Sequence, residues 1–280
     1  MEAGVNVYKI LRILNNSGVL VMDLDTKQEV IFIGKGIGFG KKVNENVENF
    51  ENSKAYFFEK ENARGNSIQM IKSIDGIYIE IAGNIIEEAE KVFESVDNNI
   101  LIPLADHIAF AVKRINENME IRNPFSRELK VLFEKEYNVA LKGKYIIKEK
   151  LNIDISDDEI GYITLHVHSA VTSTDIKYGM DTALIIKESM DIIEKSAGKI
   201  LHKNSLSYAR LITHLKYLLA RLESGEKPNI DMSEYVISKF PKSYDIAGVV
   251  CDYISNKTKK EITDVEKSYL ALHIERVKDI

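Results

Sequence analysis

One histidine-centred pattern is written twice in this chain, at a fixed offset of 107 residues and with no gap. His107 stands in Asp106-His107-Ile108-Ala109-Phe110, and its stretch closes at Arg114-Ile115. His214 stands in Thr213-His214-Leu215-Lys216-Tyr217, closing at Arg221-Leu222. The same shift carries Tyr162-Ile163-Thr164-Leu165-His166-Val167 onto Tyr269-Leu270-Ala271-Leu272-His273-Ile274, and Tyr137-Asn138-Val139-Ala140 onto Tyr244-Asp245-Ile246-Ala247. Four of the six histidines thus form two equivalent pairs, each 59 residues apart. A tandem repeat of this length rules out one continuous core and requires two copies of a single folding unit.

What precedes the repeats is different in kind. Tyr8 to Leu14 is a short apolar run ending in the turn cluster Asn15-Asn16-Ser17-Gly18, and Val19 to Leu24 and Glu29 to Ile33 continue the strand rhythm. Ala55 to Phe58 offers a fourth strand, and Glu61 to Ser67 reads as a linker. A unit of this size rarely holds a sufficient core below about 70 residues, so pairing of two heads through the sheet is expected.

From residue 68 the rhythm is helical: Ile85, Ile86, Ala89, Val92 and Phe93 fall at 3.6-residue spacing, with Glu87, Glu88 and Glu90 outside it. Ser156-Asp157-Asp158-Glu159 and Thr263-Asp264-Val265-Glu266 read as capping boxes. There the hydroxyl accepts from the third amide and the glutamate reaches back to the cap amide. His166 and His273 should each lie two to three turns into the helices that follow. The fold class expected is α+β multidomain: a small antiparallel β-sheet head at 1–62, then two tandem all-α bundles at 68–175 and 176–280.

Composition narrows the setting. Cys251 is the single cysteine, which excludes an internal disulfide and a thiolate cluster and fits a reducing cytoplasm. No apolar run approaches the roughly 18 residues of a membrane span, and Lys9, Arg12 and Asp23 interrupt the N-terminal apolar residues, so neither membrane insertion nor a signal peptide is expected. Net charge is −5, but residues 1–43 carry six basic and four acidic side chains, leaving +2 on the head and −7 on the rest.

One histidine on an apolar helix is ordinarily a core residue bonded to a carbonyl. Two in each of two copies, at equal spacing, point to shared chemistry. Metal binding would need a third ligand, and none is evident; His166 and His168 point about 200° apart on a helix. No metal or other cofactor is therefore expected. Phosphoryl acceptance fits better, because a neutral imidazole nitrogen can take and return a phosphoryl group. The added charge would act as an electrostatic switch.

Gly34-Lys35-Gly36-Ile37-Gly38-Phe39-Gly40-Lys41-Lys42 fits neither phosphate-loop register. In an extended chain its glycines would share one face, with Lys35, Ile37, Phe39 and Lys41 on the other. Lysines beside an aromatic ring suit an RNA with unpaired bases, whereas a glycine-rich hairpin with a solvated edge needs no ligand. From this segment alone both readings stay open.

Together, Arg12-Ile13-Leu14-Asn15-Asn16, the segment from Ile33 to Lys42 and the two histidine repeats resemble the BglG/SacY family of transcriptional antiterminators. Asp106 to Arg114, Arg122-Asn123-Pro124-Phe125 and Leu165-His166-Val167-His168-Ser169-Ala170 are most similar to the glucose-operon subgroup. The resemblance covers essentially the whole chain.

It implies a non-enzymatic protein whose head dimerises and grips an RNA hairpin overlapping a terminator, with contacts at Arg12, Asn15, Asn16, Gly34, Lys35 and Phe39. It implies phosphorylation at His107, His166, His214 and His273. A phosphotransferase-system (PTS) sugar permease, enzyme II, would inactivate through the first repeat when its sugar is absent. The phosphocarrier HPr would act on the second, more weakly in this subgroup. Ser17 stands where many relatives have a third asparagine, and Lys35 replaces a common arginine, so the bidentate fork of arginine is missing there. Paired histidines facing each other across a dimer interface are the expected switch. A PTS-regulated DNA-binding activator would need a helix-turn-helix head, and a metal-dependent hydrolase would need bound metal.

Overall fold

A computed structural model describes residues 7–57, 73–119, 121–203 and 205–278. The head is a five-stranded antiparallel sheet of β1 (Tyr8–Asn15), β2 (Gly18–Asp23), β3 (Glu29–Gly34), β4 (Asn46–Val47) and β5 (Ser53–Phe57), in the order β4-β1-β2-β3-β5. The four expected strands are present, with Phe58 and the expected linker at 61–67 outside the described residues. Gly18-Val19-Leu20-Val21 and Val30-Ile31-Phe32-Ile33 are buried on both sides, which explains why β2 and β3 read as continuous apolar runs.

Each sheet face has its own core. On one, Ile10, Val19, Val21, Val30, Phe32 and Phe50 pack together, with the Phe32 and Phe50 rings 4.7 Å apart. On the other, Leu20, Ile31, Ile33 and Tyr56 join Ile79, Ala82 and Ile86 of α1 (Gly76–Glu90). That helix covers this face of the sheet with apolar side chains.

The chain forms two compact units, residues 1–124 with 135–176, and residues 125–134 with 177–280. Besides the sheet and α1, the first holds α2 (Leu101–Asn116), α4 (Glu134–Leu151, from its second residue) and α5 (Asp157–Thr172). The second holds α3 (Ser126–Leu132), α6 (Ile176–Ala197, from its second residue), α7 (Leu206–Ser224), α8 (Ser233–Lys239), α9 (Pro241–Thr258) and α10 (Asp264–Lys278). Helices α3 and α4 match α8 and α9 residue for residue at the offset of 107. The short helices α3 and α8 nonetheless both fall in the second unit. There the Tyr208 hydroxyl of α7 donates to Glu128 Oε1 of α3 at 3.1 Å, while Ser268 Oγ of α10 donates to Ser233 Oγ of α8 at 3.0 Å.

The capping boxes form only in half. Ser156 Oγ accepts from the Glu159 amide at 3.3 Å and Thr263 Oγ1 from the Glu266 amide at 3.4 Å, as expected. Both glutamate side chains turn to arginines instead of reaching back to the cap, because a buried guanidinium is the stronger partner for a carboxylate.

Candidate functional sites: a histidine pair in each repeat and a turn-rich sheet edge

His107 sits on α2 and His166 on α5, seven residues below and above partners that complete a cluster. The two imidazoles lie 5.0 Å apart, and Tyr162 flanks His107 at 5.8 Å. Glu159, two turns before His166, places Oε2 3.3 Å from His107 Nε2, an ion-pair distance short of hydrogen-bond geometry. Its Oε1 accepts from Arg114 at 2.7 Å, and Arg114 lies over the Phe110 ring at 4.9 Å. Burial works to raise the Glu159 carboxyl, but His107 and Arg114 outweigh it and hold it below its ordinary value. Burial, with His107 adjacent, pushes His166 down to about 3, so its ring is neutral at pH 7.

The second repeat builds the same cluster with one difference. His214 on α7 stacks on His273 of α10 at 4.2 Å and 27°, with Tyr269 at 6.5 Å. Glu266 gives both oxygens to Arg221, at 2.6 Å to Nε and 2.7 Å to the terminal nitrogen. His214 Nε2 is thereby left buried without a hydrogen-bond partner. Burial, then His273 and Arg221, pushes His214 down to about 3; His273 is lowered by burial, Arg276 and Arg210. In both units the paired rings meet within one chain. Burial disfavours charge on His166, His214 and His273, which lessens the repulsion that adjacent rings would otherwise meet.

Arg114, Glu159, Arg221 and Glu266 were missed as site residues, although a signal was present. Each arginine stands seven residues after the first histidine of its pair, and each glutamate seven before the second. Seven residues are two helical turns, which puts charge on the apolar histidine face. His168 lies outside the pair: Nδ1 meets Glu136 Oε1 at 3.0 Å, and the corresponding Glu275 accepts from Ser243. Among the described residues no three side chains of histidine, cysteine, aspartate or glutamate converge as a metal site.

The second assembly is the edge of the sheet where β1 turns into β2 and β3 ends. Asn15 Oδ1 accepts from the Ser17 amide at 2.8 Å, which shapes the β1–β2 turn. The Gly34 amide donates to Ser17 O at 2.8 Å, and the Gly38 amide to Asn16 O at 3.0 Å. Asn15, Asn16, Gly34, Lys35 and Phe39 are so gathered on one edge, with Arg12 further along β1.

The extended register expected for Gly34 to Lys42 is not adopted. Ile37, Phe39 and Lys41 amides point back to the carbonyls of Gly34, Gly36 and Gly38, making successive turns. Positive φ at Gly36 (77°) and Gly40 (71°) permits the turns, and Gly38 is required by contact, since a Cβ there would lie 2.2 Å from Asn15 O. The turns leave Phe39 76% exposed, an apolar ring with nothing of its own to cover it.

A sheet whose turn-rich end exposes an aromatic ring, followed by duplicated helical units that each pack two histidine rings together, fits the class of RNA-binding proteins that carry repeated helical domains. The CAT RNA binding domain pattern matches residues 8–65, and the PRD domain pattern matches 83–170 and 187–277. The chain is 31% identical over 273 residues to the GlcA/glcB genes antiterminator of Staphylococcus carnosus, covering 95% of this chain and 94% of that one. It is 30% identical to the beta-glucoside operon antiterminator of Dickeya chrysanthemi, covering 96% of each. The crystal structure of GlcT CAT-PRDI matches with 33% identity and a TM-score of 0.50, over 59% of this chain and 99% of that one. The chain belongs to the BglG/SacY family of transcription antiterminators, with a CAT RNA-binding head and two PRD domains. Its α+β architecture is the one the sequence implied, and the described N-terminal unit is a sheet where a DNA-binding activator would need a helix-turn-helix. Among the described residues no helix is long and apolar enough to cross a membrane.

Proposed function

We propose that this antiterminator serves a PTS sugar operon, with glucose as the sugar, by gripping an RNA hairpin that overlaps a terminator. Similarity over nearly the whole chain to the GlcA/glcB genes antiterminator of Staphylococcus carnosus supports the glucose assignment. Contacts are assigned to Arg12, Asn15, Asn16, Gly34, Lys35 and Phe39, and the exposed Phe39 beside a turn-rich glycine backbone carries this reading. An unpaired base stacks on such a ring, while the lysine meets phosphate. The head is assigned to 1–62 and the regulation domains to 68–175 and 176–280, in a cytoplasmic homodimer.

His107, His166, His214 and His273 are assigned as phosphoryl acceptors for the sugar permease and HPr, with no catalysis by this chain. Support comes from His166 and His214, whose rings burial keeps neutral: a neutral nitrogen has the lone pair the phosphoryl group needs. In the first repeat, a phosphate on His107 would sit against the Glu159 carboxylate and compete for Arg114. The local charge change is about −2, enough to rearrange a buried ion pair.

The test is binding of the full chain to the labelled leader hairpin of glcA from Staphylococcus carnosus, against scrambled RNA and duplex DNA. Hairpin-selective binding that weakens with salt is expected. A preference for DNA would refute the reading. In cells, His107→Ala should stay active without sugar, and persistent sugar dependence would remove His107 from the switch.

A further inference from the structure

The amide of Asn15 is already occupied. Its Nδ2 donates to Glu80 Oε2 of α1 at 2.7 Å while its Oδ1 holds the β1–β2 turn, so the oxygen and one of two N–H groups are in use. The Glu80 carboxylate is pinned from its other side by Lys150 of α4, whose Nζ donates to Oε1 at 2.7 Å. The backbone fit beneath this contact is close. A Cβ on Gly76 would lie 2.3 Å from Leu14 O, and one on Gly83 would lie 2.6 Å from Ile33 Cδ1. The Tyr56 hydroxyl donates to Gly83 O at 3.3 Å, and Lys54 of β5 pairs with Glu90. Beside Glu80 a cavity of about 630 Å³ opens between sheet and helix, lined by Ser17, Gly34, Lys35, Asn52, Glu87 and Lys150 among others.

We propose that α1 is an intramolecular latch on the RNA-reading edge: Glu80 takes the asparagine amide that RNA would take. This rests on the assignment of Asn15, Gly34 and Lys35 as RNA contacts. Two features separate a latch from an ordinary hydrogen bond between neighbouring elements. The competitor is a carboxylate, the one acceptor that both mimics a phosphate oxygen and repels a nucleic acid. It also sits with a second carboxylate, Glu87, in the cleft that contains Gly34 and Lys35. Lys35, Lys54 and Lys150 line the same cleft, and α1 already engages two of these cations, Lys150 through Glu80 and Lys54 through Glu90, so a polyanion must displace α1 to use them. Glu80 belongs to the regulatory part of the chain, so RNA access and the state of the first repeat are linked through one helix. RNA binding and the closed position of α1 exclude each other, and the linkage is reciprocal.

The experiment compares Glu80→Ala, Glu88→Ala and Asn15→Ala in the full chain, titrated with the glcA leader hairpin at fixed salt. Glu88 lies on the same helix but pairs with Lys91 and Lys142, so its removal changes net charge equally without touching the edge. Glu80→Ala should tighten binding by about tenfold, as expected for release of a charge-assisted hydrogen bond. Glu88→Ala should not match it. Glu80→Gln, which keeps the volume and so the packing, should fall between. Unchanged or weaker binding by both Glu80 variants overturns the latch, as does an equal gain from Glu88→Ala. If the Glu80 variants bind as wild type while Asn15→Ala loses the hairpin, the latch fails and the RNA assignment stands. If Asn15→Ala binds as tightly as wild type, the assignment itself fails and takes the latch with it.

Discussion

Glu159 Oε2 stands 3.3 Å from the Nε2 of His107, whereas the corresponding Glu266 commits both its oxygens to Arg221 and none to His214. One duplicated cluster thus has two wirings. The first repeat shares a carboxylate between imidazole and guanidinium, and the second isolates the imidazole.

The difference has an energetic consequence. Arg114 and Glu159 side chains are 10% and 5% exposed, so Glu159→Ala strands a buried cation and should cost about 3–5 kcal/mol. Arg221 is 23% exposed and water can partly replace its partner, so Glu266→Ala should cost less, about 1–3 kcal/mol. Urea unfolding of the two variants checks the order; a larger loss from Glu266→Ala would contradict it.

Stability should fall on mild acidification. His166 and His214 are held near 3 by burial, against an ordinary 6.5 in the unfolded chain. Between these values the unfolded state binds protons that the folded state refuses. Stability is therefore complete above pH 6.5 and drops as pH falls, by up to about 1.4 kcal/mol per pH unit for each ring. Glu159 adds to the trend below its ordinary 4.5, because its folded value is depressed. Denaturant titrations at pH 7.5 and 5 should differ for wild type, and the His166→Gln, His214→Gln double variant should narrow the gap.

The turn-rich loop should discriminate between two of its glycines. Gly36 has φ of 77° with open space around it, so Gly36→Ala brings only left-handed backbone strain of about 1–2 kcal/mol. Gly38→Ala would drive a methyl into the Asn15 carbonyl and displace the β1–β2 turn. Hairpin affinity should therefore fall further for Gly38→Ala than for Gly36→Ala, with helical circular dichroism retained in both.

In the second unit Tyr208→Phe leaves Glu128, 6% exposed, without its hydroxyl donor. A loss of about 1–3 kcal/mol follows from the unsatisfied carboxylate. Thermal unfolding measures it, and an unchanged melting temperature would mean that water reaches Glu128.

The sequence by itself determined the plan of a strand-built head with two copies of one helical unit. Short apolar runs, turn residues and a gapless offset of 107 are local or periodic signals, and they survive any tertiary arrangement. It also singled out the four histidines, since duplication preserved them. Only the tertiary structure decided where the glutamates of the capping boxes turn, because a side chain chooses between a cap amide and an arginine brought in from 45 residues away. The same holds for the glycine-rich segment. Its alternation fits an extended strand and a string of turns equally, and the choice fell to Gly38 packing against Asn15. The contact of Glu80 with Asn15 joins residues 65 apart. Neither periodicity nor propensity carries such a pairing; it exists only once β1 and α1 share a core.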